Sequence, residues 1–316
     1  MLRELLRIRH PVVQAPIASA AVPELAAAVS NAGALGMLAL TWDEDPAASV
    51  RETAGLTASP FGGNFVLQWD QHGKVASALE AGLRVVSLTW GDPAPYVQRV
   101  HDAGGIVLHT VGSAEEARRA VDAGVDVVVA QGWEAGGHVW GTVATLPLVP
   151  AVVDAVDPVP VIAAGGIGDG RGFAAVLALG AQAAWVGTCF LLADEAPLHD
   201  TYRRRLVEAV ETDAEWYADL YDVGWPAAPH RALRNATAEA WEAAGRAGPG
   251  DRPGEGETVA ARASGEPIVR YSSALPLEGT TGDIGALSLW AGQSVALAKS
   301  RRPAAEIVSE LVSRLD

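Results

Sequence analysis

Eight short apolar runs punctuate the N-terminal part of the chain: Val12–Ile17, Leu35–Leu40, Gly63–Leu67, Arg84–Thr89, Ile106–His109, Val125–Ala130, Val159–Ala164 and Ala181–Val186. Between them lie alanine-rich segments with apolar residues at helical spacing, such as Val22–Ala32, Ala94–Ala103, Ala114–Ala123 and Arg171–Leu179. Several close on a glycine (Gly33, Gly82, Gly104, Gly124, Gly180), the residue that most readily takes the left-handed turn past a helix end. Runs that are apolar throughout, without alternation, read as strands covered on both faces. Eight strand–helix repeats of this kind predict an α/β fold, a (β/α)8 TIM barrel. An open doubly wound sheet is the rival, but no G-x-G-x-x-G follows the first run.

After Glu195 the repeat stops. Leu198–Tyr221 reads as helical, and Gly245–Gly256, with Pro249 and Pro253, as a mobile loop. Ile284–Lys299 and Ala304–Leu315 read as closing helices. The expected division is a barrel over 1–198, a small cap region over 199–282 beside the barrel mouth, and closing helices over 283–316 packed on the barrel.

Composition narrows the classes. The chain has 316 residues at 49% hydrophobic content, enough for one large domain with a full core. Its formal net charge is −15, with only two lysines, Lys74 and Lys299. Such a chain has no long-range attraction for nucleic acid or an anionic membrane surface. There is no long apolar run of membrane-spanning length and no signal-peptide pattern in the first ten residues, so a cytoplasmic protein is expected. The single cysteine, Cys189, excludes an internal disulfide and reads as a small core residue. No His-x-x-x-His or Glu-x-x-His spacing occurs, so no metal site is expected.

In barrel enzymes the chemistry sits at the C-terminal ends of the strands. Gly165-Gly166 and Gly187-Thr188 end two neighbouring runs, and small residues there expose backbone N–H groups as a cradle for a phosphate. His138 follows Gly136-Gly137 after the sixth run. Its imidazole can take a proton near neutral pH or donate to an oxyanion; the plainer reading is a loop histidine bonded to a carbonyl. His109 also stands at a strand end and reads as packed. Glu134 is placed to orient His138 or to sit in solvent. Asn64 and Gln131 are strand-end amides, able to donate and accept at a flavin ring edge or simply to cap turns. Trp42, Trp69, Trp90, Trp133 and Trp140 fall at or just after strand ends; they line an apolar pocket or pack against the cap. No lysine sits at a strand end for Schiff-base chemistry, which weakens a non-flavin aldolase reading.

Gln14-Ala15-Pro16-Ile17, Asn64-Phe65, the string Ala130 to His138 (AQGWEAGGH), Val161 to Ile167, Val186-Gly187-Thr188 and Ala291-Gly292-Gln293 together resemble the nitronate monooxygenases, formerly called 2-nitropropane dioxygenases. The resemblance implies an FMN-dependent barrel oxidoreductase that turns an alkyl nitronate and O2 into a carbonyl compound and nitrite. By the same resemblance Ala15, Pro16 and Ile17 pack on the isoalloxazine, and Asn64 and Gln131 contact the flavin or its ribityl chain. Gly136, Gly165, Gly166, Trp185, Val186, Gly187 and Thr188 bind FMN, the glycines and Thr188 around its phosphate, and His138 faces the substrate. Trp69, Trp90, Trp133 and Trp140 are the expected substrate pocket.

The chain departs from the family at Ile17, where methionine is usual, at Cys189, where arginine is usual, and at the bulky Trp140. The resemblance leaves open an NAD(P)H-dependent flavin reductase, acting on a quinone or an enoyl-ACP, and a flavin-binding protein without catalysis. It also leaves room for a homodimer.

Overall fold

The computed structural model describes residues 1–314. A short helix, α1 (Leu2–Leu6), leads into β1 (Val12–Gln14), α2 (Pro23–Asn31), β2 (Gly36–Ala39), α3 (Pro46–Leu56), β3 (Phe61–Val66), α4 (His72–Glu80), β4 (Val85–Thr89) and α5 (Ala94–Asp102). Then come β5 (Ile106–Val111), α6 (Ala114–Asp122), β6 (Val127–Gln131), the two-residue β7 (Gly137–His138), α7 (Thr145–Val156), β8 (Val161–Ala164), α8 (Gly170–Ala178) and β9 (Ala183–Val186). Eight of these strands run parallel in the order β1-β9-β8-β6-β5-β4-β3-β2, and a parallel bridge between Val13 and Leu35 joins the two ends. The expected barrel is the observed one.

Local chemistry starts and stops its helices. Asp45, Ser113 and Asp169 accept N–H groups of the first turns of α3, α6 and α8. The helix-to-strand turns close on the five expected glycines, all at positive φ. Alternate strand residues face opposite sides. One parity, including Val13, Met37, Val85, Leu108, Val129, Ile162 and Trp185, clusters with Leu2 and Leu6 of α1. The other, including Leu38, Phe65, Val86, Leu88, Val107 and Val128, packs against the helices. Burying each such aliphatic or aromatic side chain contributes roughly 1.5–3 kcal/mol.

The remaining chain departs from its sequence pattern in three places. Leu198–Tyr221 is not one helix. It is α9 (Asp200–Glu208), a single 3-10 turn (Glu211–Asp213) and β10 (Ala214–Tyr217). β10 pairs antiparallel with β11 (His230–Leu233), which pairs in turn with β7. This pairing draws the aromatic Trp216-Tyr217 into extended backbone, which suits such residues better than a helix does.

Ile284–Lys299 is likewise not a helix but two 3-10 turns, Ile284–Ala286 and Gln293–Leu297. Gly285 and Gly292 weaken helix there, and the Gly292 N–H is taken by Thr188 Oγ1 at 3.0 Å. The closing helix is α11 (Ala304–Val312), after α10 (Ala236–Ala243); the expected end at Leu315 lies outside the described residues.

The Gly245–Gly256 stretch, read as mobile, is pinned by Arg252, which is buried and pairs with Asp222 at 2.6 Å and Glu255 at 2.5 Å. A small sheet of β12 (Thr258–Ala261), β13 (Pro267–Val269) and β14 (Thr281–Gly282) follows it.

Candidate active site

β8 and β9 are neighbours in the barrel, so their tails, Gly165-Gly166 and Gly187-Thr188, lie side by side. Among the described residues none of these four N–H groups meets a protein acceptor. Backbone N–H groups are rarely left so, and a cluster of them is a ready anion site. Gly165 and Gly166 both hold positive φ, 100° and 71°. A Cβ on Gly165 would stand 2.8 Å from the carbonyl oxygen of Gly132. The tail is therefore built for glycine.

Facing it, Ala15 Cβ and Ile17 Cγ2 lie 3.4 and 3.6 Å from where a Cβ of Gly187 would be, which brings the β1 and β9 ends together. Pro16 is half-buried beside them. Trp185 points into the barrel interior cluster. Val186 packs outward against the helices, so only its backbone is available at the mouth. Gly136 is pressed against the closing segment: a Cβ there would lie 2.3 Å from Gly292 N.

The strand-end amides divide their work. Asn64 is buried on β3 and its Oδ1 accepts the Ser87 hydroxyl at 2.9 Å, while among the described residues its Nδ2 makes no hydrogen bond. Gln131 is engaged at both ends by the loop it precedes. Its Oε1 accepts Trp140 N–H at 2.8 Å and its Nε2 donates to the His138 carbonyl at 3.2 Å. Glu134 does not orient His138; Oε2 accepts both the N–H and the hydroxyl of Thr145, at 2.9 Å each, and so anchors the start of α7.

His138 lies in β7, paired with His230 of β11. Its ring is stacked on Trp225, with centroids 3.8 Å apart, and meets Trp90 edge-on at 5.8 Å and Trp290 at 5.3 Å. Nε2 is shielded from water and has no partner. Desolvation by these rings, with His230 adding to it, holds the pKa well below the usual imidazole range. The imidazole is neutral at pH 7, with one ring nitrogen free to donate or accept.

Of the expected pocket tryptophans, Trp69, Trp90 and Trp140 join this aromatic group. Trp90 does so with φ 65°, a strained value for a bulky residue. Trp133 does not. It stacks on Trp216 at 4.9 Å, under the Arg231 guanidinium, beside a separate cleft of about 540 Å³ lined by Trp216, Arg231 and Gln293.

His109 has the outward parity of Val107 and Val111 and lies under the helices, where burial lowers its pKa to about 4. The Cys189 thiol is buried, donates to the Gly168 carbonyl and is pushed up to about 12, which removes it as a nucleophile. Sequence reasoning missed Trp225, Trp290 and His230. All three come from the irregular region after Glu195: the β10–β11–β7 pairing carries His230 and the loop bearing Trp225 to the mouth, and an antiparallel bridge between Ala232 and Trp290 brings the third. Among the described residues no group of three or more His, Cys, Asp or Glu is placed to hold a metal, and no helix is long and apolar enough to cross a membrane.

A family model for nitronate monooxygenase matches residues 1–73 and 67–314. The chain belongs to the nitronate monooxygenase family. A nitronate monooxygenase from Paraburkholderia phytofirmans is 33% identical, over 98% of this chain and 93% of that protein. A hydroxy-methyl-oxo-octahydro-indene-carboxyl-CoA dehydrogenase from Mycobacterium tuberculosis is 38% identical, over 78% of this chain and 69% of its own length. Among solved structures, FabK from Thermotoga maritima superposes with a TM-score of 0.84 at 33% identity, covering 99% of this chain and 94% of that one. Membership of the nitronate monooxygenase family makes this chain an oxidoreductase enzyme.

Proposed function

We propose that the chain is an FMN-dependent nitronate monooxygenase that converts an alkyl nitronate and O2 to a carbonyl compound and nitrite. The observation that carries this reading is the set of unpartnered N–H groups at Gly165, Gly166, Gly187 and Thr188, in a chain of this family. They suit a phosphate monoester, and the chain's net charge of −15 leaves such an anion to local backbone dipoles. Ala15, Pro16 and Ile17 then offer an apolar face to the flavin ring, and the free Asn64 Nδ2 a donor to its edge. FMN, when bound, would supply the electron transfer and the reaction with O2.

The protein's own part is positional and electrostatic. His138 Nε2, when protonated, donates to a nitronate oxygen; in the other tautomer it accepts the α-proton of a neutral nitroalkane. Gln131 fixes the loop that carries it, and the surrounding tryptophans exclude water. In the net reaction two nitronates and one O2 give two carbonyl compounds and two nitrites: each carbon–nitrogen bond breaks, one oxygen atom of O2 goes to each carbonyl, and each nitrogen leaves as nitrite.

A second reading is favoured by one observation. Identity to the bulky-ring acyl-CoA dehydrogenase, 38%, exceeds that to the Paraburkholderia nitronate monooxygenase, and the mouth is lined with large rings. On that reading the enzyme is a flavin-dependent dehydrogenase or reductase using a nicotinamide partner.

One experiment separates them. The purified protein is examined for flavin absorbance, then given propionate 3-nitronate and, separately, NADH or NADPH without oxygen. Bleaching by the nitronate alone supports the first reading, and bleaching by the nicotinamide alone the second. A colourless protein that does not take up FMN overturns both.

A further inference from the structure

The indole of Trp225 fills a box made by four other rings. Trp42, Trp69 and Trp90 surround its edges, with centroids at 5.5, 5.4 and 5.1 Å, and His138 covers one face at 3.8 Å. Trp225 itself is only 4% exposed, yet its neighbours Gly224, Pro226 and Ala227 are exposed. A single buried ring thus hangs between exposed neighbours, with the next buried side chain at Ala228.

Two features mark this arrangement as one closed state of the mouth. Trp225 Nε1 is shielded from water without a hydrogen-bond partner, and so is Nε2 of the imidazole against which it stacks. Face-to-face stacking prevents either nitrogen from satisfying the other, so both carry the cost of an unmade hydrogen bond. The backbone is also built to pivot. Gly224 has φ 98° and Ala227 φ 54°, one left-handed residue on each side of Trp225-Pro226.

Outside those two residues the chain is fixed. The Val223 N–H donates to the Tyr271 carbonyl at 3.1 Å and its own carbonyl accepts Ser273 N–H at 3.1 Å, while the Pro229 carbonyl accepts Val139 N–H at 2.8 Å. Between Val223 and Pro229 the main-chain bond is Trp225 N–H to the Asp222 carbonyl, and His230 Nδ1 bonds the Ala228 carbonyl. Ala228, buried in the same apolar cluster, belongs to the fixed part, so between Gly224 and Ala227 the indole is the one buried side chain.

The box opens outward. Trp42 is 53% exposed and Trp69 half-buried, so the ring walls reach solution while His138 lies at the inner end. A group that replaced the indole would rest its ring body among Trp42, Trp69 and Trp90 and present a polar substituent to His138 Nε2.

We propose that Trp225 is a removable plug and the specificity-determining residue of the site: the substrate carries a flat or nearly flat two-ring body, enters the tryptophan box in place of the indole, and displaces the Gly224–Ala227 segment. This rests on His138 being the imidazole that faces substrate, and it narrows the substrate class from small nitronates to bulky ring compounds with an anionic oxygen group.

The test uses 2-naphthoate, a two-ring carboxylate that cannot turn over, with the flavin-loaded protein. Hydrogen exchange is followed by mass spectrometry over 222–229, with and without the probe. The proposal expects binding, and amide exchange in this segment at least tenfold faster in the complex. The companion variant Trp225→Ala should bind 2-naphthoate at least tenfold more tightly than the wild type. If the naphthoate binds with 222–229 equally protected, or binds neither protein, the plug is refuted. Should Trp225→Ala not fold, the exchange measurement on the wild type decides alone. These readouts need no turnover, so a protein inert to nitronates that still shows displacement loses the proposed activity and keeps the plug.

Discussion

The imidazole of His230 meets that of His138 edge-on, with ring centroids 5.9 Å apart, and the two residues stand opposite each other in the β7–β11 ladder. His230 is neutral by construction. Its Nδ1 must donate to the Ala228 carbonyl at 2.9 Å, and its Nε2 must accept Tyr221 N–H at 3.1 Å. Burial lowers its pKa to about 4, as it does for His109.

These shifts set an acid limit on stability. Above pH 6.5 both histidines are neutral whether the chain is folded or not, and they contribute nothing. Between pH 6.5 and about 4 the unfolded chain binds protons that the folded chain refuses, so stability falls as pH falls; below about 4 the loss is complete. The expected slope is about 1.4 kcal/mol per pH unit for each histidine. Thermal melts from pH 7.5 to 4 should show it, and His109→Gln should shed one histidine's share. An unchanged slope in that variant would show that His109 is not held neutral.

Gln131 ties the main chain at His138 and Trp140, in the connection between β6 and α7, to the tip of β6. Gln131→Leu removes both bonds at nearly constant volume. We expect kcat on a nitronate to drop about tenfold or more with flavin retained, while His138→Ala should cost on the order of a hundredfold. Steady-state kinetics beside flavin-to-protein ratios checks both. Loss of flavin in the glutamine variant would instead place that amide on the cofactor.

Gly136 and Gly137 make a matched pair of probes. A Cβ at Gly136 would lie 2.3 Å from Gly292 N and 2.4 Å from the Ala291 carbonyl carbon, both backbone atoms that cannot step aside. At Gly137 nothing stands within 4 Å, and the cost is its φ of 68°. Gly136→Ala should therefore destabilise by about 3 kcal/mol or fail to fold, and Gly137→Ala by roughly 1–2 kcal/mol. Urea midpoints measured side by side give the order, and the reverse order would contradict the packing.

Arg252 links Asp222, just before the Trp225 segment, to Glu255 in the glycine-rich stretch, and its guanidinium lies over Tyr271 at 4.4 Å. Arg252→Met leaves Asp222, whose side chain is 12% exposed, without its cation. The expected loss is about 3 kcal/mol, with faster proteolysis inside 245–256. A variant as protease-resistant as the wild type would mean that the loop is held by its other contacts.

The glycine-tailed strands and His138 were legible because each is a local signal. The Gly165-Gly166 turn needs left-handed backbone where it stands, and the Gly136-Gly137-His138 string declares a close approach whatever surrounds it. Trp133 was misplaced for the same reason in reverse. Its position after β6 is visible in sequence, but which way its ring turns depends on Trp216, more than 80 residues on.

The periodicity of short apolar runs and glycine-closed helices determined the barrel by itself, because a strand buried on both faces and a helix with one apolar stripe have few ways to pack. Only the tertiary structure decided what stands over His138. Trp225, Trp290 and His230 carry no local signature; His230 and the Trp225 loop reach the mouth through the antiparallel pairing of β11 with β7, and Trp290 through its bridge to Ala232 of β11, non-local contacts that close only once the barrel has brought these segments together.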